Sequence, residues 1–559
     1  MRRRRPWFLA LIAAWVVITS SCARIESRPD PLPAATLVDS SLALAENDLD
    51  RARVSVSPRE AARRYYSAAS RASALVFGSS PVDDTTYERA RQIHNVALAR
   101  FLRLSRGPRR AFDDAWLEEC DERGVPLALR ANGAVWNPDR FDRLEFASDH
   151  SAFPLREVAA EPGLGVPMFS VRRRKSNDFD RLQGNERFLP PVEVYPVTAV
   201  LRNPGTGETP LLELRDPLRS TWVESPGGSI PLAADFSTPL AYHFSITRLP
   251  LLEQVARLDP NQLEWSAGLH MLHPYEPGKI PIVFIHGYWS SPRCWLQAIN
   301  ELRRDPTIRS RYQFWIYMYP SINSHLHSAA LLRRSLREVR EVFDPARTDP
   351  ALGRMVLVGH SMGGLLAKTA VQDSGDSLWS LVSPRRFQDV TTSEANRGLL
   401  EEVFFFRADP NVARVVFIAT PHRGSYFSNP LFGRISGRLT PHPGPLTRAL
   451  NDLRRANPPQ AFSPLFRGRG LSMSFDQLRV GDPVLERLDR IPVVPGVRVH
   501  SIIAQKHKGP VELGTDGVVA HASSHLEGVE SERIIDHHHF CQQEPETVAE
   551  LKRILWTSP

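Results

Sequence analysis

The sequence predicts an α/β protein in which a central, mostly parallel sheet with helices on both faces follows a helical region and a β-rich module. In the second half of the chain, apolar runs of strand length alternate with segments of helical periodicity. Runs that are apolar at successive positions indicate strands buried on both faces. The expected strands are IPIVFIHG, YQFWIYMYP, RMVLVGH, ARVVFIAT and VRVHSIIAQ. The expected boundaries are 1–22 for a leader, 30–148 for the helical region, 149–258 for the β-rich module and 260–559 for the part with the parallel sheet.

Length and composition are those of an ordinary globular protein. The 559 residues allow two or three domains, and 42% of them are hydrophobic and 24% charged. The net charge is +8, but four positive charges are the arginines at positions 2 to 5, which leaves +4 for the rest of the chain. So small an excess, interleaved with acidic residues, indicates no nucleic-acid partner.

Residues 1–22 have the features of an export signal: a basic start, an apolar core from Trp7 to Ile18 and small residues before a cysteine. The apolar core is shorter than the ~20 residues that span a membrane, so we expect a cleaved or lipid-anchored leader. The stretch from Thr19 to Cys22 resembles a bacterial lipoprotein processing site. This resemblance implies lipid attachment at Cys22 and an exported protein anchored to a membrane of the cell envelope. A plain secretory signal, with a secreted or periplasmic soluble product, is the alternative.

Two regions without a catalytic set of residues precede the parallel sheet. Segments 61–77 and 87–104 carry apolar residues at helical spacing and predict antiparallel helices, with Tyr65 and Phe77 in their core. Short alternating segments broken by Pro and Gly then predict strands, namely VYPVTAVLR, TPLLELRDP and LAYHFSITR. We expect both regions to pack against the rest of the chain or to present it to a protein partner of unknown identity.

The strongest motif is MVLVGHSMGGLLAK, in which Gly359, His360, Ser361, Met362 and Gly363 lie between an expected strand and an expected helix. A serine at such a turn projects its hydroxyl above the sheet edge, and the glycines let strand and helix approach closely. The helix N-terminus favours negative charge, which suits a developing oxyanion. Ser361 is therefore the expected nucleophile.

With this motif, residues 260–559 resemble an α/β-hydrolase of the esterase and lipase type. The segment VFIHGYWSSPRCW, with His286 and Gly287, resembles the lipase loop that supplies an amide to the oxyanion hole. The resemblance implies that the amides of Tyr288 and Met362 stabilise the oxyanion.

In this fold the acid and then the base follow the nucleophile along the chain, so His422 of IATPHRGS is expected to be structural. Asp516, in GTDGVV, resembles the acid-bearing turn of many lipases. The lipase pattern and the distance to Pro545, where a final helix is expected to begin, place the base at His539 of IIDHHHF. His537 is its main rival because alternate residues of an extended segment face the same side. The other candidate acids are Asp373, Asp376, Asp476, Asp482 and Asp536.

We expect no metal and no organic cofactor, because a Ser-Asp-His set requires neither. The histidine run near the C-terminus suggests zinc, but adjacent histidines of an extended segment point in different directions. No second ligand cluster is spaced to complete such a site.

An insertion over about 424–490, rich in Pro, Arg and Leu, separates two expected strands and predicts a cap over the nucleophile. Caps of this sort admit acyl chains, so the expected substrate is a small-molecule or lipid ester. One alternative is a deacylase or transacylase that acts on a lipid-linked glycan or a phospholipid. The other is a non-catalytic interaction protein anchored in the cell envelope.

Overall fold

The computed structural model describes residues 40–78, 82–105, 127–174, 184–203, 210–247, 267–321, 323–425, 444–468, 471, 475–506 and 510–557. The expected leader and Cys22 lie outside these residues. Within the described part of the chain, no helix has both the length and the apolar character that a membrane span requires.

Three helices open the described chain: α1 (Ser40–Val54), α2 (Pro58–Phe77) and α3 (Asp84–Leu104). Ser57 and Asp83 cap α2 and α3 by accepting hydrogen bonds from amides of the first turn. Tyr65 and Phe77 are buried between these helices, as the helical spacing predicts.

A five-stranded sheet packs against these helices in the order β1-β6-β5-β4-β2, with all pairs antiparallel except β1 and β6. Two of its strands, β1 and β2, lie before residue 149, so the sheet begins inside the range expected to be helical. The strands of this part are β1 (Ala128–Asn132), β2 (Arg143–Phe146), β3 (Ala160–Glu161), β4 (Val166–Arg173), β5 (Val192–Arg202), β6 (Leu211–Arg215), β7 (Trp222–Ser225), β8 (Gly228–Pro231) and β9 (Ala234–Asp235).

The prediction of a strand for LAYHFSITR is wrong, because this segment lies mainly in helix α4 (Ser237–Ile246). Asp235 starts the helix by accepting hydrogen bonds from the amides of Ser237 and Thr238 at 2.9 and 2.8 Å. The helix packs on the five-stranded sheet on one side and on the second core on the other. Apolar residues around the whole helix therefore hide its period, and a short apolar run does not distinguish a buried helix from a strand.

The second sheet has seven strands in the order β10-β12-β11-β13-β14-β15-β16, all parallel except the edge strand β10. The five expected strands are β11 to β15, and β10 and β16 are additional. The bounds are β10 (Gly268–Met271), β11 (Ile280–Ile285), β12 (Tyr312–Met318), β13 (Met355–His360), β14 (Val412–Ile418), β15 (Arg498–Ala504) and β16 (Ser531–Ile535).

Helices cover both faces of this sheet. Along β11, Ile282 and Phe284 point to the core that contains α5 and α14, whereas Val283 and Ile285 point to the core that contains α7 and α8. The helices are α5 (Leu296–Arg304), α6 (Pro306–Arg311), α7 (His325–Phe343), α8 (Met362–Thr369), α9 (Glu394–Phe404), α10 (Pro445–Ala456), α11 (Pro464–Gly468), α12 (Pro483–Arg490), α13 (His521–Ser524) and α14 (Pro545–Trp556).

The expected cap region contains α10, α11 and α12, which pack with α9 into one apolar cluster. The start of this region is joined to the segment before α12, because the Ser425 amide donates a hydrogen bond to the Leu478 carbonyl at 2.6 Å. The hydroxyl of Ser425 donates to the carbonyl of Val518, two residues beyond Asp516. The insertion is therefore joined to the loop that carries the expected acid.

A buried charge network connects the two sheets. Asp216 follows β6, and its Oδ2 lies 2.8 Å from Nε2 of His273, which follows β10. Nδ1 of His273 lies 3.1 Å from Oε1 of Glu276, whose Oε2 lies 3.0 Å from Lys279 Nζ. Burial alone would lower the pKa of His273, but the two carboxylates raise it to about 9.

This raised pKa predicts a pH-dependent loss of stability. A protonated His273 stabilises the fold fully below its ordinary pKa of 6.5, and that contribution is lost as the pH rises toward about 9. The free energy of unfolding, measured in urea, should fall by a few kcal/mol across this window in the wild type, and His273→Gln should remove most of the slope. Equal slopes in both proteins would contradict the assignment.

Candidate active site

Ser361 occupies the sharp turn between β13 and α8. Its φ of +53° and ψ of −124° lie in a region that residues with a side chain rarely adopt. A strained serine at the end of a parallel strand and directly before a helix is the arrangement that the sequence predicts. The residue is 7% exposed, so the surrounding protein largely covers the hydroxyl.

The glycines of this motif are required by contact distances. A Cβ on Gly359 would lie 2.5 Å from the carbonyl oxygen of Gly363, and a Cβ on Gly363 would lie 2.3 Å from the carbonyl oxygen of Ile285. A Cβ on Gly364 would lie 2.0 Å from Oγ1 of Thr420. Only glycine therefore lets α8 pack this closely on β13, β11 and the segment after β14.

We expect Gly364→Ala to destabilise the protein by about 1–3 kcal/mol, the usual cost of overpacking. Rotation of Thr420 gives no relief, because its Cβ would also lie 2.9 Å from the new methyl group. Gly398→Ala is the matched control, since Gly398 in α9 has nothing within 4 Å of the added Cβ. That variant should be neutral or more stable by up to ~1 kcal/mol. Equal urea midpoints for the two variants would contradict the packing argument.

The structure brings Ser361, His539 and Asp516 together from three distant parts of the chain. Nε2 of His539 lies 2.9 Å from Oγ of Ser361, and Nδ1 lies 2.7 Å from Oδ2 of Asp516. Oδ1 of Asp516 accepts hydrogen bonds from the amides of Val518 and Val519, both at 2.7 Å. The carboxylate is thereby fixed with one oxygen directed at the imidazole.

The rival histidines of the C-terminal run do not take this position. His537 lies with Nε2 3.8 Å from Glu544, and its ring packs against the exposed His538 with ring centroids 4.0 Å apart. The chain does not stay extended here, because the His537 amide bonds back to the Ile535 carbonyl at 3.0 Å. Strict alternation of side chains therefore does not hold in this segment.

The other aspartates that were candidates for the acid lie elsewhere in the structure. Asp482 caps α12 by accepting amide hydrogen bonds, and burial raises its pKa to about 6. Asp373 accepts a hydrogen bond from the amide of Ala408 at 2.8 Å. Asp376 and Asp536 are exposed, and the side chain of Asp476 lies outside the described residues.

His422 is buried, and its ring contacts the ring of Phe417 edge-on, with centroids 4.8 Å apart. Burial holds its pKa well below the ordinary value, so the ring stays neutral at physiological pH. Its amide donates to the carbonyl of Ser523 at 3.0 Å. These contacts are those of a packing residue.

His360 makes a contact that the sequence motif does not predict. Its Nε2 donates a hydrogen bond to the backbone carbonyl of His539 at 2.9 Å, and burial lowers its pKa to about 3. A neutral imidazole therefore links the position before Ser361 to the residue expected as base. The two histidines lie 179 positions apart, so no local spacing could have indicated this contact.

The loop after β11 lies beside Ser361, because a Cβ on Gly287 would be 3.0 Å from Cβ of Ser361. His286 supports the loop by stacking on Tyr319 with centroids 4.3 Å apart, and the Tyr319 hydroxyl donates to the His286 carbonyl at 2.6 Å. Burial lowers the pKa of His286 to about 4, which keeps this ring neutral. Tyr288 follows directly, and Met362 is the first residue of α8.

Comparison with known proteins yields one family match. A model described as the alpha/beta hydrolase family matches residues 282–551. No curated protein matches the chain.

Several solved structures are similar to part of the chain. A mature lipase from Bacillus licheniformis is 17% identical, with 50% of this chain and 93% of that chain covered and a TM-score of 0.29. Lipase 1 from Pelosinus fermentans is 12% identical, with 50% and 98% covered and a TM-score of 0.30. The phospholipase PlaB from Legionella pneumophila is 15% identical, with 44% and 46% covered and a TM-score of 0.25.

Proposed function

The C-terminal part of the chain, residues 282–551, belongs to the alpha/beta hydrolase family, and on that premise we propose that the protein is a serine hydrolase of carboxylic esters. The observation that carries the proposal is the continuous hydrogen-bonded chain from Ser361 through His539 to Asp516. These three groups have the contacts that a nucleophile, a general base and an orienting acid require. The same contacts argue against a non-catalytic interaction protein, in which nothing would maintain this alignment.

In the first half of the reaction, Oγ of Ser361 attacks the ester carbonyl carbon while Nε2 of His539 accepts the hydroxyl proton. Asp516 accepts the hydrogen bond from Nδ1 and so holds the imidazole in the tautomer with a free Nε2. The amides of Tyr288 and Met362 stabilise the tetrahedral oxyanion, each contributing roughly 3 kcal/mol to lowering the barrier. His539 then returns the proton to the leaving alcohol, and the acyl group stays on Ser361.

In the second half, His539 accepts a proton from water, which attacks the acyl-enzyme carbonyl. As the second tetrahedral intermediate collapses, His539 returns this proton to Oγ of Ser361, which restores the serine hydroxyl and releases the carboxylic acid. His360 holds the carbonyl of His539 in both halves, and its low pKa means that it remains an uncharged donor. We assign it as a positioning residue.

Exposed aromatic residues support an apolar acyl group or a lipid ester as substrate. Trp289 follows Tyr288 and is 39% exposed, and Phe540 follows His539 and is 58% exposed. The ring of Phe540 lies 5.6 Å from that of His539. Large apolar side chains beside a polar catalytic set are typical of sites that bind apolar ligands.

Labelling with a fluorophosphonate tests the proposal directly, because an activated serine hydroxyl displaces the fluoride of the probe and keeps the phosphonyl group. We expect one modified residue, Ser361, identified by peptide mass spectrometry. A series of p-nitrophenyl esters of increasing acyl length should then show kcat/KM rising with chain length, and Trp289→Ala should reduce that rise. An unlabelled, folded protein would contradict the proposal, and labelling without any length dependence would contradict the apolar substrate.

For location, we propose an exported lipoprotein of the cell envelope, which places an enzyme of lipid esters at a membrane surface. The support is the leader pattern that ends at Cys22. Mass spectrometry of the mature N-terminus should find a diacylglycerol on Cys22. A soluble product that begins after that cysteine would contradict the anchor and leave the catalytic proposal intact.

A further inference from the structure

Three side chains with metal-binding atoms converge outside the set used in the proposed mechanism. His521 begins the one-turn helix α13 and His525 caps its end, so the two imidazoles lie four residues apart on one side of a helical turn. Their rings are stacked, with centroids 5.6 Å apart and an angle of 16° between the planes. Glu532 reaches them from strand β16. We propose that His521, His525 and Glu532 form a binding site for a zinc ion.

The distances suit zinc after a small adjustment. Oε2 of Glu532 lies 2.9 Å from Nδ1 of His525, and Oε1 lies 4.0 Å from Nε2 of His521. One ligand atom of each residue lies within 4.8 Å of the others. A tetrahedral zinc ion with bonds of about 2.0–2.2 Å holds its ligand atoms roughly 3.4 Å apart. Side-chain rotations that move these atoms by about 1 Å would therefore complete three corners of the site.

His521 supplies an independent observation. The residue is 8% exposed, and its Nε2 is buried without a hydrogen-bond partner among the described residues. Buried polar atoms are usually partnered, and a metal ion would provide this nitrogen with one. His525 and Glu532 are partly exposed, which leaves a path for the ion and a fourth position for water. Two imidazoles with one carboxylate are a donor set that zinc favours.

The backbone that carries the histidines is held by other contacts. Arg423 donates from Nη1 to the carbonyls of Ala522 and His525, at 2.6 and 2.9 Å. The charge of Arg423 is paired with Asp489 at 2.9 Å, which reduces its repulsion of a bound cation. The helical turn is therefore positioned before an ion binds, as a metal site of useful affinity requires.

The proposed ion would connect the two segments that carry the acid and the base. The amide of His521 donates to the carbonyl of Gly514 at 2.8 Å and closes the loop that contains Asp516. Glu532 lies in β16, the strand that leads to His539. Zinc would thus tie the acid loop to the strand before the base without contacting the reacting atoms.

The test uses the full chain without a histidine tag, stripped with EDTA and titrated with zinc chloride. We expect one zinc per chain by elemental analysis, a dissociation constant in the micromolar range or tighter by calorimetry, and a higher Tm with zinc bound. Glu532→Gln and His525→Ala should each weaken binding at least 100-fold. His537→Ala/His538→Ala is the matched control, because it removes two neighbouring histidines that are not part of the site, and it should bind as the wild type does.

Three results would overturn the proposal. The first is a folded wild-type protein that binds no stoichiometric zinc, which would leave the three groups as an ion-paired cluster. The second is unchanged affinity in Glu532→Gln, a variant that keeps the size of the side chain. The third is loss of zinc in the control variant, which would move the ion to the C-terminal histidine run.

Discussion

Replacing Ser361 with alanine should lower kcat by about 10⁴-fold or more, because the variant has no oxygen to attack the ester and form the acyl-enzyme. The free energy of unfolding should change little, since the substitution removes one hydroxyl, opens no core cavity and keeps a Cβ at the strained φ of +53°. Turnover of a p-nitrophenyl ester and thermal unfolding, measured on the same preparation, separate these two effects.

The matched control for this variant is Ser380→Ala, at an exposed serine whose hydroxyl bonds to the Ser377 carbonyl. It should retain full turnover. Unchanged turnover in Ser361→Ala would exclude that residue as nucleophile. Loss of both turnover and folding would instead show that the turn is needed for stability, and Ser361→Cys, which keeps a nucleophilic atom, would then be compared.

Replacing His539 with alanine should reduce kcat by ~10⁴-fold or more, the scale seen when a member of such a triad is removed. The buried imidazole is in hydrogen-bond contact with both Ser361 and Asp516, so its loss removes the proton acceptor and isolates the acid. KM should change less than kcat, because no substrate-binding surface is lost.

The neighbouring histidines provide internal controls of the same residue type. His537→Ala and His538→Ala should each leave kcat within a few-fold of the wild type, because neither ring contacts Ser361 in the described structure. An inactive His537→Ala variant together with an active His539→Ala variant would reverse the assignment of the base. The mechanism would then need a rearranged C-terminal loop.

The interior of the seven-stranded sheet could be predicted because its strands are buried on both faces and therefore apolar throughout. The strand β16 could not, since its sequence SERII is polar for three of five positions and lies at an exposed sheet edge. The strand β10 is short and antiparallel, and its sequence GLHM has no clear period. Hydrophobic pattern thus predicts central strands better than edges.

The candidate site also contains residues that the sequence predicts and contacts that it does not predict. Ser361, Asp516 and His539 each stand in a local pattern that resembles known enzymes, so the sequence indicates them one at a time. The contact of His360 with the backbone of His539 exists only in the folded chain. The convergence of His521, His525 and Glu532 likewise exists only in the folded chain, because a helical turn brings the two histidines together and Glu532 reaches them from a separate strand.

The charge network between the sheets limits how the two halves of this chain can be exchanged. Asp216 belongs to the N-terminal half, whereas its partner His273 belongs to the half that contains Ser361. A replacement module that covered His273 without supplying a carboxylate would leave this buried charge short of one partner, and removing one member of a buried ion pair typically costs about 3–5 kcal/mol. Exchange of the N-terminal half would therefore require matching changes on both sides of the network. The N-terminal half therefore acts as a folding partner of the half that contains Ser361, because its Asp216 completes the buried network of His273.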